Sequence, residues 1–265
     1  MALRWQSMDA TTFSASNLKV ACASCNLREL CLPVGLSLDD LEKVEELVAV
    51  RRKVKRGESL FRTGDPFESL YAIRSGSLKS ALVNKAGREQ VTGFHMAGEI
   101  VGLDGISATK HACDATALED SEVCVIPYSR VEQIASHVPA LRTNFHRVMS
   151  REIVRDHGVM LLLGTMLAEE RMATFLLNLS HRFAARGYST TEFLLRMTRA
   201  EIGSFLGLKL ETVSRVLSRF AKEGLIDVDQ KRVRIIDAEG LRAILSGRSH
   251  AHRTPFVETP AKNLG

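Results

Sequence analysis

Four of the five cysteines have the residue type and spacing for metal chemistry. Cys22, Cys25 and Cys31 lie within one short segment near the N-terminus, and Cys124 follows far along the chain. Disulfide bonds are not expected, because the chain shows no export signal and cytosolic thiols stay reduced. Thiolates held together in this way bind an iron–sulfur cluster or zinc. The sequence therefore predicts a metal centre and leaves both metals open.

Cys113 is the fifth cysteine and competes with Cys124 as the distant ligand. Both lie in β-rich sequence, where a lone cysteine is usually a small buried apolar residue. Spacing alone does not choose between them.

Composition limits the classes of protein. The 265 residues, 45% of them apolar, suffice for two hydrophobic cores. No run approaches the roughly 18 consecutive apolar residues that a membrane-spanning helix needs. The N-terminal segment lacks the apolar region of a signal peptide, so we expect a cytoplasmic protein with no membrane partner.

The excess positive charge is confined to the last third of the chain. Residues 1–167 carry 20 basic and 20 acidic side chains, residues 168–247 carry 13 and 10, and residues 248–265 carry 3 and 1. A polyanion such as DNA is therefore expected to bind the C-terminal part.

Turn signals and periodicity divide the chain into five regions. Ser37 is expected to cap a short helix that ends near Val50, and turns every 8 to 12 residues then predict an antiparallel barrel or roll. The regions are a cysteine-bearing loop, the roll, a long helix, a DNA-binding region and a disordered tail, at residues 1–36, 37–138, 139–167, 168–247 and 248–265.

The long helix carries an apolar stripe with one charged residue in it. The stripe recurs at steps of three or four and suits a coiled-coil-like pairing of two copies. Its members are Leu141, Phe145, Met149, Ile153, Asp156, Met160, Leu163 and Leu167. In such a pair the two Asp156 carboxylates would repel each other, whereas at the edge of the seam they would be solvated.

The C-terminal region has the spacing of a helix-turn-helix. Thr198 and Glu201 form a capping-box signal, Gly207 provides the turn, and a second helix starts near Glu211. Its apolar residues, Val213, Val216, Leu217 and Phe220, are expected to face the core. Its polar residues, Glu211, Ser214, Arg215 and Arg219, are then free to reach DNA, with Arg215 suited to guanine and Arg219 to phosphate. Residues 224–236 add a predicted two-stranded wing.

These features together resemble the FNR-type anaerobic transcription regulators of the cyclic-AMP receptor protein superfamily. The resemblance runs from Cys22 to about Leu245. The matching segments are LCLP at residues 30–33, SLYAIRSG at 69–76, GFHMAGE at 93–99, VCVIPY at 123–128, AEERMA at 168–173 and LETVSR at 210–215.

The resemblance implies an α+β fold with three parts. They are a cyclic-nucleotide-binding-like β-roll (a double-stranded β-helix), a long dimerisation helix and a C-terminal winged helix-turn-helix. It also implies a homodimer, paired through Phe145, Met149, Ile153, Asp156 and Met160.

The resemblance implies a [4Fe-4S] cluster on Cys22, Cys25, Cys31 and Cys124. In this family the cluster favours the dimer, and oxygen destroys it. A zinc-stabilised regulator that ignores oxygen is the alternative.

The resemblance also implies an inverted-repeat DNA site similar to TTGAT-N4-ATCAA. Glu211, Ser214 and Arg215 fall on the base-reading positions. RNA polymerase is the implied protein partner through residues around Ser75, Thr116 and Phe183. In this family another loop, here the turn at residues 86–89, also contacts RNA polymerase and usually carries an acidic residue. Arg88 departs from that pattern.

Cyclic nucleotide and enzyme activity are not expected. Superfamily members that bind cyclic nucleotides grip the phosphate with an Arg-Ser pair, and His111 and Ala112 stand there. In those members a Gly-Glu pair at the end of a strand precedes the Arg-Ser pair and completes the phosphate cassette, and Gly98 and Glu99 keep that pair. No Ser-His-Asp set, phosphate-cradling glycine loop or H-E-x-x-H motif is present, so the chain is not expected to be an enzyme.

Overall fold

The computed structural model describes residues 50–84 and 86–246, with Cys25, Leu27, Leu30, Cys31, Leu36, Ser37, Asp40 and Val48. Cys22, the predicted tail and most of the helix predicted after Ser37 lie outside the described residues. The chain divides into two compact units, Met1–Asp156 and His157–Gly265.

The first unit is built from two four-stranded antiparallel sheets. The strands are β1 (Val50–Val54), β2 (Ser59–Phe61), β3 (Ser69–Ser75), β4 (Ser77–Val83), β5 (Glu89–Met96), β6 (Ile100–Val101), β7 (Asp114–Ala117) and β8 (Ser121–Pro127). One sheet has the order β1-β8-β3-β6 and the other β2-β7-β4-β5. The strands follow the predicted turn spacing and form the expected roll.

The central strands β3 and β8 present alternate residues to two apolar clusters, as strand geometry requires. On β3, Leu70 and Ala72 pack in the cluster that includes the helices after β8. Ile73, with the opposite parity, packs in the second cluster between the sheets. Cys124 and Val123 show the same alternation on β8.

Two helices follow the roll, α1 (Tyr128–His137) and α2 (Pro139–Thr165). Helix α2 is the long helix predicted from the apolar stripe. It ends at Thr165, so Leu167, placed on the stripe from the sequence, lies outside it. Leu167 is extended and caps the next helix, with its backbone N–H donating to the Glu170 carboxylate at 2.6 Å.

The second unit is a winged helix-turn-helix. Its elements are α3 (Ala168–Ala184), β9 (Glu192–Leu194), α4 (Arg199–Leu206), α5 (Leu210–Lys222), β10 (Ile226–Asp229), β11 (Arg232–Ile235) and α6 (Ala238–Leu245). The predicted wing β10-β11 carries β9 as a third strand at its β11 edge. Sequence reasoning missed β9 because three residues give no alternation pattern.

The α+β fold predicted from the sequence is confirmed. A roll, a long helix and a C-terminal helix-turn-helix follow each other in the expected order. At the start of the described region, the Asp40 N–H donates to Ser37 Oγ at 3.2 Å, which is the predicted cap. Among the helices of the described residues, none is long and apolar enough to cross a membrane.

Candidate metal centre and nucleic-acid interface

Cys124 lies at the centre of a sheet in the first unit. Strand β8 is paired on both sides, and Cys124 is opposite Arg51 on β1 and Ala72 on β3. Its side chain is half-buried against the cluster that holds Leu70 and Ala72. Because two ladders fix this strand, the backbone position of Cys124 is well defined.

The described cysteines of the N-terminal loop lie beside the same part of the roll. Cys31 packs against the apolar cluster that Cys124 also contacts. Its backbone N–H and that of Leu30 both donate to the carbonyl of Leu27, at 3.0 and 2.9 Å, which closes a tight turn. Cys25 is close enough to Cys124 for the two thiols to interact electrostatically.

The surroundings of Cys124 affect its ionisation in both directions. Burial raises the pKa of the thiol above its ordinary value, and the guanidinium groups of Arg51 and Arg74 oppose this, while Cys25 adds to it. A metal-bound cysteine must be a thiolate, so the two arginines favour the ligating form.

Cys25, Cys31 and Cys124 have the chemistry that a thiolate-ligated cluster needs, and they lie on the same side of the roll. Within the described part of the chain, no three ligand-type side chains are close enough to hold a metal ion by themselves. The fourth predicted ligand, Cys22, lies outside that part.

Cys113 packs against the other apolar cluster, between the sheets. Burial and the Asp104 carboxylate raise the pKa of its thiol to about 12. A thiol with this pKa is protonated at neutral pH and is a poor nucleophile and ligand.

His111, which stands where the resemblance expects an arginine, is packed among aromatic rings. His111 is 3% exposed and stacks on Phe61 with ring centroids 3.7 Å apart. Its Nδ1 lies 3.4 Å from Asp104 Oδ2 but is not aligned for a hydrogen bond with any described residue. The buried ring of His111 is therefore held by aromatic stacking at this position.

The helix-turn-helix is formed as the sequence predicts. The Thr198 Oγ1 accepts from the Glu201 N–H at 3.2 Å and the Glu201 carboxylate accepts from the Thr198 N–H at 2.7 Å, so the capping box is complete. Helix α4 ends at Gly207, whose φ of 63° is the left-handed conformation that glycine adopts readily.

Helix α5 buries its apolar face and exposes its polar face, as predicted. The buried residues are Val213, Val216, Leu217 and Phe220. Glu211 and Arg215 are exposed, and among the described residues Arg215 has no hydrogen-bond or ion-pair partner. An unpaired arginine near the N-terminal end of such a helix is available to a base.

Two other predicted DNA-contacting residues already have partners. Ser214 is half-buried, and its Oγ accepts a hydrogen bond from Arg199 Nη1 at 3.1 Å, a contact that no local pattern in the sequence predicts. Arg219 pairs with Glu223 at 2.8 Å and with Glu169 at 3.2 Å, and these raise its pKa further. Its Nε and Nη1 make these contacts, and the side chain is 58% exposed.

Arg171, in the AEERMA segment, joins two helix ends in the second unit. Its guanidinium donates at 2.9 Å to the carbonyl oxygens of Leu163, in the last turn of α2, of Met166, just after α2, and of Leu206 at the end of α4. Terminal helix carbonyls lack intrahelical partners, so one fork satisfies three of them. This fixes α4 relative to the end of α2.

The predicted dimer residues are divided by the structure. Phe145 is 8% exposed and Met149 is partly buried, both against the protomer's own apolar cluster. Ile153 and Met160 are 56% and 66% exposed. Asp156 is exposed beside them. The apolar surface left for a partner is therefore the part of α2 after Met149.

A roll of this topology followed by a winged helix-turn-helix defines a DNA-binding transcription regulator. Two family models match: a cyclic nucleotide-binding domain over residues 51–137 and a Crp-like helix-turn-helix domain over residues 170–244.

Curated relatives cover most of both chains. The transcriptional regulatory protein btr of Bordetella pertussis is 51% identical over 86% of this chain and 94% of its own length. The transcriptional activator protein anr of Pseudomonas aeruginosa is 48% identical over 86% and 93%. The fumarate and nitrate reduction regulatory protein of Yersinia pestis is 44% identical over 84% and 89%.

Solved structures share the fold. FixK2 from Bradyrhizobium japonicum has a TM-score of 0.69 at 30% identity, over 74% of this chain and 96% of that one. A CooA mutant from Carboxydothermus hydrogenoformans has a TM-score of 0.62 at 20% identity, over 74% and 87%, and supports the fold alone. The chain belongs to the FNR-type regulators of the cyclic-AMP receptor protein superfamily.

Proposed function

We propose that this protein is an oxygen-responsive transcription activator that binds DNA as a homodimer when Cys22, Cys25, Cys31 and Cys124 hold a [4Fe-4S] cluster. The observation that carries the proposal is that Cys25 and Cys31 lie on the same side of the roll as the half-buried thiol of Cys124. When bound, the cluster supplies iron–thiolate bonds that fix the N-terminal loop to β8 and that oxygen can break.

The chain's own residues convert order in the loop into dimer formation. Ile153 and Met160 expose apolar surface that a second copy of α2 would bury. The two Asp156 carboxylates would then lie near each other, which opposes pairing. A dimer forms when the ordered loop outweighs this repulsion and separates when the loop is released.

The dimer would read an inverted repeat similar to TTGAT-N4-ATCAA. Two α5 helices contact half-sites about one helical turn apart, so the second contact becomes intramolecular and affinity rises steeply. Glu211, Ser214 and Arg215 face the bases and Arg219 the phosphates. Residues around Ser75, Thr116 and Phe183 would contact RNA polymerase, and the relatives named as activators support this role.

Cyclic nucleotide is not part of the proposed function. The stacked His111 replaces the phosphate clamp, which supports a regulator that does not respond to cyclic nucleotide. We place it in the cytoplasm, where its DNA is, with no enzyme activity of its own.

The test uses protein purified without oxygen. Its absorption spectrum, its iron and sulfide content and its mass in solution are measured before and after exposure to air. We expect absorbance near 400 nm, about four irons per chain and a dimer, all lost in air. A colourless dimer that contains zinc and is unchanged in air would replace oxygen sensing with the constitutive alternative.

Arg215→Ala should weaken binding to the TTGAT half-site by about 1 to 3 kcal/mol, because the free guanidinium can make a bidentate contact with guanine. The loss should shrink when that guanine is replaced. The measurement is fluorescence anisotropy with both DNA duplexes at fixed salt.

Arg219→Ala is the matched comparison for Arg215→Ala. It should weaken binding to both duplexes equally, because a phosphate contact carries no sequence information. It should also reduce the dependence of binding on salt concentration. Equal losses on both duplexes for Arg215→Ala would contradict its assignment to a base.

A further inference from the structure

Arg155 on α2 is the centre of a partly buried polar network in the first unit. Its guanidinium lies 3.6 Å from the Glu99 carboxylate, 3.3 Å from His95 Nδ1 and 2.5 Å from the Glu152 carboxylate. Glu99 and His95 belong to the roll, whereas Glu152 is on α2 itself. Arg155 therefore ties the long helix to the roll.

The network is too enclosed to be an ordinary surface ion pair. His95 is 6% exposed and Arg155 is mostly covered. Arginine has no acceptor, so His95 Nδ1 must accept from it, and the proton on Nε2 then faces Ser80 Oγ at 2.9 Å. One arrangement of protons satisfies both contacts, and pairs in such surroundings are screened less than exposed ones.

The roll side of this network also supports the cysteine loop. Glu99 follows Gly98 in the turn between β5 and β6, where the Glu99 carboxylate accepts from the Met96 N–H at 3.2 Å. Gly98 has a φ of 88°, and a Cβ placed there would lie 2.9 Å from the Cβ of Leu30. Leu30 is the neighbour of Cys31, so the turn is in close contact with the loop beside a proposed ligand.

The helix side of the network determines which residues remain available to a partner. Glu152 and Arg155 are held towards the roll, and the adjacent Ile153 and Asp156 are exposed. Residues three apart on a helix share a face, so a fixed Arg155 sets the rotation of this turn of α2. The exposed pair is the apolar and acidic surface where two copies would meet.

We propose that Arg155 is a positioning residue that connects the turn at Gly98 and Glu99, which contacts the cysteine loop, to the partner-facing surface of α2. Its contact with Glu99 links α2 directly to the part of the phosphate cassette that this chain keeps. The proposal rests on the proposed function, because it specifies how an ordered loop favours the dimer.

The test compares Arg155→Gln with Arg151→Gln in full-length protein purified without oxygen. Arg151 is exposed on the same helix, and among the described residues its one hydrogen bond is from Nε to the Arg147 carbonyl at 3.4 Å. This control therefore changes the same charge without removing a described contact to the roll. We expect both variants to keep wild-type iron and sulfide. The dimer dissociation constant of Arg155→Gln should be about five to ten times larger than that of Arg151→Gln.

A double-mutant cycle with Glu99→Gln separates coupling from a general loss of stability. The effects of Arg155→Gln and Glu99→Gln on the dimer constant should be non-additive, and Arg155→Lys should restore part of the loss. Thermal unfolding shows whether each variant is folded. Equal dimer constants for the two glutamine variants, or additive effects in the cycle, would overturn the proposal.

The same measurements keep the two proposals apart. If the wild-type protein contains no iron and is a dimer in air, the proposed function fails. The Arg155 proposal fails separately if the wild-type protein carries the cluster and the cycle shows no coupling.

Discussion

Cys124→Ser protein purified without oxygen will be colourless and monomeric, whereas Cys113→Ser protein will keep the absorption near 400 nm and the dimer. The reason is position. Cys124 is on the paired strand β8 beside Cys25, and Cys113 packs in the other apolar cluster with its pKa raised to about 12. A serine hydroxyl does not replace a thiolate at iron, so iron per chain should fall from about four to near zero.

Iron and sulfide analysis and size-exclusion chromatography on both variants measure this difference. The two substitutions remove the same atom, one from each apolar cluster, so Cys113→Ser controls for lost packing. If Cys113→Ser loses the iron and Cys124→Ser keeps it, the assignment of the fourth ligand is wrong. Anaerobic DNA binding should follow iron content in both variants.

Asp156→Ala protein will form dimers and bind the inverted repeat in air. Two carboxylates about 8 Å apart in a partly screened seam repel by about 2 kcal/mol, which is roughly a 30-fold change in the dimer constant. Removing this term leaves the apolar surface of Ile153 and Met160 to drive pairing without help from the loop. Sedimentation velocity in air, with a DNA-binding assay at the same protein concentration, measures both effects.

Two further variants test whether the effect of Asp156→Ala comes from the lost charge and from its position on α2. Asp156→Asn keeps the shape and should behave like the alanine variant. Glu239→Ala removes an equal charge from α6, where Glu239 pairs with Arg242 in the second unit, and should stay monomeric in air. An aerobically monomeric Asp156→Ala protein would show that carboxylate repulsion does not control the dimer.

Local patterns in the sequence were enough for the helix-turn-helix and for the order of the roll, the long helix and the C-terminal region. The Thr198 and Glu201 capping box, the turn at Gly207 and the buried side of α5 depend on residues within a few positions of each other. The family resemblance rests on similarly short segments and is confirmed by the curated relatives. The end of α2 was misplaced at Leu167 because a cap depends on backbone geometry that apolar spacing does not report.

The sequence by itself determined the family, the fold class and the residue types of the proposed metal and DNA sites, because these follow from local spacing. Tertiary structure decided which groups meet across long separations in the chain. It placed Cys113, just before β7, and Cys124, on β8, in different clusters, because β7 and β8 belong to different sheets and only their packing decides which apolar side chains each thiol meets. It also joined Arg155 to Glu99 and Arg199 to Ser214, contacts that exist only because packing fixes the helices that carry them.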